Sequence, residues 1–577
     1  MRAIKKLGLT FIFLMIVSAA LAQPGKKKKS KNELTEDQKI ALDKSFINAN
    51  KEKILGTNDA LAIELFDACL KIDENNAASM YEKAMLLRKK KNFTDGVSLM
   101  ETAVKTDPEN EWYLQLYGEL LQRTGNNKEA IKVYEQLVEL KPYNPEYYLM
   151  SAGAYLDAEK YEKAIEVFNL FEAKFGVDPD IIKEKQRIWL KLNKVDKAAD
   201  ELNKLIARYP DEPQYYLMLI DLYSANMMYD KELIAIEQFQ KVMPDHPAIA
   251  LSMAEYYRSQ GEKEKSFEEL KKAFANPALD SILKAKVLIS YVSLSQRDSV
   301  MMEQALVLAK IFVETNGAGV TSHAMYADFL YLNKQTSEAR DQYRAAIQFD
   351  KSNLQLWQQL LQSSAELNDY KTLADDSKEG ISLFPDQPSF YYFNGVSNSI
   401  LKNSEVALKS LKTGYKLVVD NDNLLAEFYS SLGDNYNSIK DYKESDSFYE
   451  KALKINPKNI AVLNNWAYYL SLRKASLDKA AEMSKYANEL SPDNGTYQDT
   501  YAWVLFQQGR YSDALEWQEK ALKNTPENNG TLLEHYGDIL FKLGQTEKAV
   551  EYWNKAKVTG EGSEQLSKKI AELKYFE

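Results

Sequence analysis

The chain has 577 residues, 45% hydrophobic and 27% charged, with 37 Tyr against only 22 Gly and 15 Pro. That composition excludes a disordered protein and suits several domains or one long array. Net charge is −10, but eight cations and no acid lie in residues 1–31, so the remainder stands at −18, and so acidic a body repels the nucleic-acid backbone and excludes it as a partner.

Residues 1–22 carry Arg2, Lys5 and Lys6, then the apolar run "LGLTFIFLMIVSAALA", closing on Ala20-Leu21-Ala22. This is the pattern of an export signal with a small-x-small cleavage site, and the run is shorter than a comfortable membrane span. Cleavage after Ala22 would leave Gln23 as the mature start. No cysteine follows the run, so nothing supports a lipid anchor. Lys26 to Lys29 tend to hold that flank in the cytoplasm. An uncleaved signal-anchor, making the protein a membrane-anchored adaptor, is therefore the alternative. Residues 23–42 read as a basic N-terminal tail. The single cysteine, Cys69, allows no internal disulfide and no thiolate metal site; among Leu65, Phe66 and Leu70 it reads as a small buried apolar residue.

From about residue 43 one skeleton returns. Gly118 is followed by Ala130, Tyr134 and Pro142; 34 residues later stand Ala152, Ala164, Phe168 and Gly176; 34 later again Gln186, Ala198, Leu202 and Pro210. Ala84, Gly96, Met100 and Pro108 precede them. Gly433, Ser445, Tyr449 and Pro457, then Ala502, Ala514, Gln518 and Pro526, then Gly537, Ala549 and Trp553 repeat it later. Each copy holds two apolar stripes at helical spacing, such as Leu114, Tyr117, Leu121 and then Ile131, Tyr134, Leu137, Val138. Gly125 would end the first helix, Asn127 would cap the second, and Pro142 would close the unit. Gly118 and Ala130 are small where two helix backbones are expected to meet, with Tyr134 filling the space beside them. One pair cannot cover its own apolar faces, so each must stack on the next.

Residues 43–280 form a first array with a degenerate opening copy, in which Asn50 and Lys53 replace apolar or small residues. The segment 276–319 still reads as two helices but is about five residues too long for the period. A second irregularity, "VVDNDNLL", falls at 418–425. These divide the chain into 43–280, degenerate middle repeats over 281–425, a regular array over 426–563, and a capping helix over 564–577 with Leu566, Ile570 and Leu573 on one face. Each irregularity is either a hinge or an insertion in a connecting loop.

This 34-residue period with small–small–aromatic–proline punctuation resembles the tetratricopeptide repeat, over roughly residues 43–563 and about fifteen copies. The resemblance implies an all-α superhelical solenoid of helix pairs whose product is surface. The block from Leu463 to Trp517 resembles the ends of exported tetratricopeptide proteins of Gram-negative bacteria, and the Ala22-Gln23 junction resembles that of many exported Bacteroidota proteins. Several such relatives serve in envelope assembly or secretion, which implies a periplasmic scaffold.

Motifs for catalysis are few. His246, His323 and His535 stand far apart; Gly317–Gly319 and Gly560–Gly562 lack the third glycine and preceding strand of a nucleotide loop; Asp420–Asn423 lacks the glycine and glutamate of a calcium loop. No cofactor or metal is expected, and an enzyme is the remotest reading. In the resembling fold the first helix of each pair lines the concave side. There the candidate groove residues are Asn464 and Tyr468, then Asp499, Trp503 and Phe506, then Glu534, Asp538 and Phe541, with Trp112 and Glu119 holding equivalent places near the start. Gln355, Gln358 and Gln362 offer a polar stretch between. Aromatics beside carboxylates suit an extended protein or peptide segment with basic and apolar side chains. The same aromatics could instead pack between successive first helices.

Overall fold

A computed structural model describes residues 34–56, 58–315, 319–525, 529–560 and 562–576. The export-signal reading and the basic residues 23–31 lie outside them. Every regular element among the described residues is helical. The chain divides into two compact units, one ending at Pro244 and one beginning at Asp245.

The first unit holds six helix pairs: α1 (Glu36–Leu55) and α2 (Asp59–Ile72), α3 (Ala77–Lys89) and α4 (Phe93–Thr106), α5 (Glu111–Arg123) and α6 (Asn127–Leu140), α7 (Pro145–Asp157) and α8 (Tyr161–Phe175), α9 (Pro179–Lys191) and α10 (Val195–Arg208), α11 (Pro213–Ala225) and α12 (Tyr229–Val242). The second holds nine: α13 (Pro247–Ser259) and α14 (Lys263–Ala275), α15 (Ser281–Ser295) and α16 (Ser299–Glu314), α17 (Val320–Leu332) and α18 (Thr336–Phe349), α19 (Leu354–Glu366) and α20 (Tyr370–Leu383), α21 (Pro388–Ile400) and α22 (Ser404–Gly414), α23 (Asp422–Ser438) and α24 (Tyr442–Ile455), α25 (Ile460–Leu472) and α26 (Leu477–Leu490), α27 (Gly495–Gln507) and α28 (Tyr511–Lys523), α29 (Gly530–Lys542) and α30 (Thr546–Thr559). A short helix, α31 (Leu566–Glu572), follows. Within each unit a second helix packs on its own first helix and on the first helix of the next pair, except that α14 packs on α16 instead of α15. Part of the stretch expected as a basic tail is helical, since α1 starts at Glu36.

The two ends of a first helix are built differently. In α3, α5, α7 and α9 the start is capped by a side chain: Asn76, Asn110, Asn144 and Asp178, 34 residues apart, accept from backbone N–H groups two or three residues further on. Its end closes through a left-handed residue, after which the next N–H reaches back five residues, as Asn126 does to Leu121 at 2.8 Å. That left-handed position recurs at Lys91, Gly125, Glu159, Asn193, Met227 and Gly261, again 34 apart. Glycine is the unstrained choice there, and each side chain costs about 1–2 kcal/mol. After these six turns the second helix starts with no side-chain cap, whereas Asn58, Asp369 and Asp441 do cap α2, α20 and α24. Asn127, expected to cap α6, is its first helical residue; the tight turn leaves Asn126 at the cap, and Asn127 donates instead to the Asp157 carbonyl at 2.9 Å.

At the small positions the ring expected beside Gly118 is the closest neighbour. A Cβ on Gly118 would lie 2.5 Å from the Tyr134 ring, and those on Gly433 and Gly537 would meet Tyr449 and Trp553 at 2.7 and 2.5 Å. An aromatic ring from the second helix, more than a second backbone, fills the space above the glycine. Tyr134, Tyr449 and Trp553 are at most 1% exposed, and burying each contributes about 1.5–3 kcal/mol. Prolines between pairs also acquire partners: the hydroxyls of Tyr148, Tyr216 and Tyr391 donate to the carbonyls of Pro142, Pro210 and Pro385, six residues back, at 3.0–3.1 Å.

The extra length in 276–319 sits largely in helix. α15 and α16 run 15 and 16 residues against 13 in α13 and in α14, and Asp298 caps α16 where other pairs have the left-handed turn. At 418–425 a single turn of tighter helix, Tyr415–Leu417, leads into the 17-residue α23. In the opening copy Asn50 donates to the Phe46 carbonyl and Lys53 pairs with Glu82. Cys69 is buried.

Candidate functional site

In the last three pairs the first helices α25, α27 and α29 lie side by side. Their residues fall into register every 35 positions. Asn464, Asp499 and Glu534 form one row; Tyr468, Trp503 and Asp538 form the next; Phe506 and Phe541 form a third. The candidate groove residues are therefore brought together. Six of them, Asn464, Asp499, Trp503, Phe506, Glu534 and Asp538, are buried, and Tyr468 and Phe541 are half-buried.

The chain's own end packs on three of them, Glu534, Asp538 and Phe506. Lys569 on α31 is 4% exposed, and its ammonium donates to Asp538 at 2.6 and 2.8 Å and to Glu534 at 2.8 Å. Ser563 closes the other side of Glu534 through its backbone N–H at 2.7 Å and its hydroxyl at 2.5 Å. Asp538 also accepts from the Trp553 indole at 2.9 Å. Beyond α31, Tyr575 meets Phe506 edge-on at 5.7 Å. The expected apolar stripe of the tail is corrected here. Leu566 is buried and Ile570 half-buried, but Leu573 is 55% exposed, because the helix ends at Glu572 and Leu573 turns left-handed. Lys569 turns inward together with Leu566.

A second network lies beneath. His535 is buried, with Nδ1 3.0 and 3.1 Å from the two Asp499 oxygens and its ring stacked on Trp503 at 3.9 Å. Gln518 donates to Asp499 at 2.6 Å and to the Leu532 carbonyl at 3.1 Å. Burial disfavours a charged His535, yet the Asp499 carboxylate overcomes it and raises the imidazole above its ordinary 6.5. Burial pushes the Asp538 carboxyl up to about 6 against the pull of Lys569. Glu534 moves the other way: burial opposes its charge, but Lys569 and Ser563 hold it below the ordinary carboxylate value. Such a shifted, buried cluster is what a catalytic reading would require. Here each carboxylate is held by the chain's own donors, and the chemistry the arrangement performs is to clamp an ammonium.

Two polar atoms at this face lack any partner among the described residues: the indole N–H of the buried Trp503 and the amide oxygen of the buried Asn464. The role of Lys569 escaped the sequence reading. Its signal was a carboxylate pair four residues apart on one helix face, one repeat ahead of a lysine. In the first unit, Trp112 stands 61% exposed on α5, while Glu119 is half-buried and accepts from Arg88 at 2.5 Å. Gln355, Gln358 and Gln362 are exposed on α19.

Models of the tetratricopeptide repeat match residues 87–150, 187–212, 426–459, 474–529 and 531–557. The small glutamine-rich tetratricopeptide repeat-containing protein 2 of Mycosarcoma maydis is 30% identical over 104 residues, which cover 18% of this chain and 29% of that protein, less than a third of its length. Among solved structures, a tetratricopeptide repeat protein from Parabacteroides merdae is 16% identical, covering 44% of this chain and 98% of its own, with a TM-score of 0.37. Yeast Tom70 is also 16% identical, covering 87% and 95%, with a TM-score of 0.31. Matches to one repeat family in both units, on helix pairs that recur every 34 or 35 residues over most of the array, give the conclusion: this chain carries tetratricopeptide repeats in both of its units.

Proposed function

We propose that this tetratricopeptide protein is an exported scaffold that holds segments of other proteins, and that the face of α25, α27 and α29 is a docking site for a segment bearing a lysine and an aromatic residue. One observation carries the site: the chain's own tail lies there, with Lys569 between Glu534 and Asp538 and Tyr575 on Phe506. The tail displays the chemistry that the face accepts. Charge selects the lysine, and aromatic area contributes affinity. The unpartnered Trp503 N–H and Asn464 oxygen offer a hydrogen bond each to a bound backbone. The export reading rests on the residue pattern of 1–22, and no helix among the described residues is long and apolar enough to cross a membrane.

The test uses the full chain and a version ending at Gly560, with a fluorescent peptide of sequence 562–577. The shortened chain should bind the peptide, the full chain much less, and a peptide with alanine at the Lys569 position hardly at all. A shortened chain that stays helical and ignores the peptide would sink the proposal. N-terminal sequencing of protein from its native cells addresses export: a start at Gln23 supports it. Retention of Met1 with sedimentation in the membrane fraction would favour the anchored alternative.

A further inference from the structure

We infer that the outer face of α1 binds a second copy of this chain, so that two molecules associate through an antiparallel α1–α1 seam. A terminal repeat needs a polar outer face, because nothing stacks beyond it. α1 departs from that rule. Its inner side carries the buried Ala49 and Phe46, which meets Phe66 edge-on at 5.9 Å. Its outer side carries Ile40, Ile47 and Ile54, seven residues apart and 64–78% exposed, with Leu55 beside them at 58%. Seven residues make two helical turns, so the three isoleucines form one stripe along the helix, the spacing at which paired helices bury apolar side chains against each other. α1 also runs 20 residues against 13 in α3 and in α5, a face about 30 Å long.

The helix is complete without a partner. Thr35 accepts from the Gln38 backbone N–H at 3.3 Å, the Gln38 side chain accepts from the Thr35 N–H at 2.9 Å, and Gly56 ends the helix in the left-handed region. An incoming molecule therefore meets a preformed face, with little ordering entropy left to lose. The charges beside the stripe select that molecule. Asp37, Lys44 and Lys51 form a second row of the same spacing, and all three are exposed. Among the described residues Asp37 and Lys51 have no ion-pair partner. Parallel pairing of two copies would set like charge against like along this row. Antiparallel pairing about a two-fold axis lays the isoleucine stripes together and sets Asp37 of each copy beside Lys51 of the other, twice per dimer. Lys44 falls near the axis, where its long stem keeps the ammonium in water. An anionic membrane is the poorer occupant, because Glu36, Asp37 and Asp43 are exposed on the same helix.

The inference does not rest on the reading of the C-terminal face: it concerns the first unit and needs no ligand. Sedimentation velocity of the full chain, at concentrations around the micromolar range, should show a monomer–dimer equilibrium, and the chain starting at Gln23 should show the same one. Ile47→Glu, at an exposed position outside the molecule's own packing, should weaken dimerisation by about a hundredfold, since the residue lies in the seam of both copies, and Ile54→Glu should act alike. Lys51→Glu and Asp37→Lys should each weaken it about tenfold. An equimolar mixture of those two variants should return close to wild-type association, because opposite charges then face each other again. Circular dichroism checks that each variant keeps its helices. A full chain that stays monomeric, dimers indifferent to both isoleucine variants, or a mixture that associates no better than either charge variant alone would overturn the inference. So would association that vanishes when residues 1–22 are removed, or capture by phosphatidylglycerol vesicles with no dimer in solution.

Discussion

Replacing Lys569 by methionine isolates what the tail lysine contributes. The two carboxylates it serves would fare differently. Glu534 keeps both donors from Ser563, whereas the outer oxygen of Asp538 loses Lys569 and the inner one keeps only the Trp553 indole. Stranding one member of a buried ion pair costs about 3–5 kcal/mol. Asp538 has an escape, because it can bind a proton. For a carboxyl of ordinary pKa that costs about 4 kcal/mol near neutral pH, and about 1.4 kcal/mol less for each unit of acidification. The loss should therefore be about 3–4 kcal/mol at neutral pH and shrink toward zero in acid, a dependence that simple loss of packing would not show. Adding Asp538→Asn should recover most of it, since a buried charge is then no longer left alone. Hydrogen exchange of α29 to α31, corrected for intrinsic rates, is the appropriate assay, because a repeat array need not unfold in one step. Protection in Lys569→Met within about 1 kcal/mol of wild type at neutral pH, or a loss that does not change with pH, would refute the reasoning.

Three further outcomes follow from the same structure. Gly118→Ala should cost about 1–3 kcal/mol, because its Cβ would meet the Tyr134 ring at 2.5 Å; pairing it with Tyr134→Leu should recover part of the loss in thermal unfolding. Met227 is 74% exposed and left-handed, so Met227→Gly should stabilise the first unit by about 1 kcal/mol in denaturant unfolding, and destabilisation would show that the side chain matters more than the backbone. The third concerns pH. His535, raised above 6.5, contributes stability that is complete below that value and lost as pH rises through its folded pKa. Asp538, raised to about 6, likewise favours the protonated side. Glu534, lowered from 4.5, contributes stability present above 4.5 and lost as pH falls through its folded pKa. Protection of the last pairs should thus be greatest near pH 4.5, fall as Asp538 ionises toward pH 6 and decline further toward alkaline pH, and His535→Gln should flatten the alkaline part of the decline. Protection that climbs steadily through that alkaline range in wild type would contradict the assignment.

Much of the fold was legible because stacking imposes the same demand on every copy. Gly118, Gly433 and Gly537 had to be small, and Tyr134, Tyr449 and Trp553 large, so the demand is written repeatedly into one chain. The turns were less legible. Glycine marks the left-handed position at 125 and 261, but Lys91, Glu159, Asn193 and Met227 adopt the same backbone and carry no sequence signal. The candidate site was legible as a set of rows, since Asp499, Trp503, Glu534 and Asp538 sit at the inward places of their helices. Its occupant was not.

The sequence by itself determined the repeat, the pairing of helices within it and the residues lined up on the first-helix face, because those follow from a 34-residue period and local helical spacing. Tertiary structure alone decided that Lys569 turns inward while Leu573 turns out, that His535 pairs with Asp499, and that Ile40, Ile47 and Ile54 stay uncovered on α1. Those outcomes depend on which side chain finds an opposite charge, or a covering neighbour, on a helix about one repeat or more away. No local pattern encodes that distance.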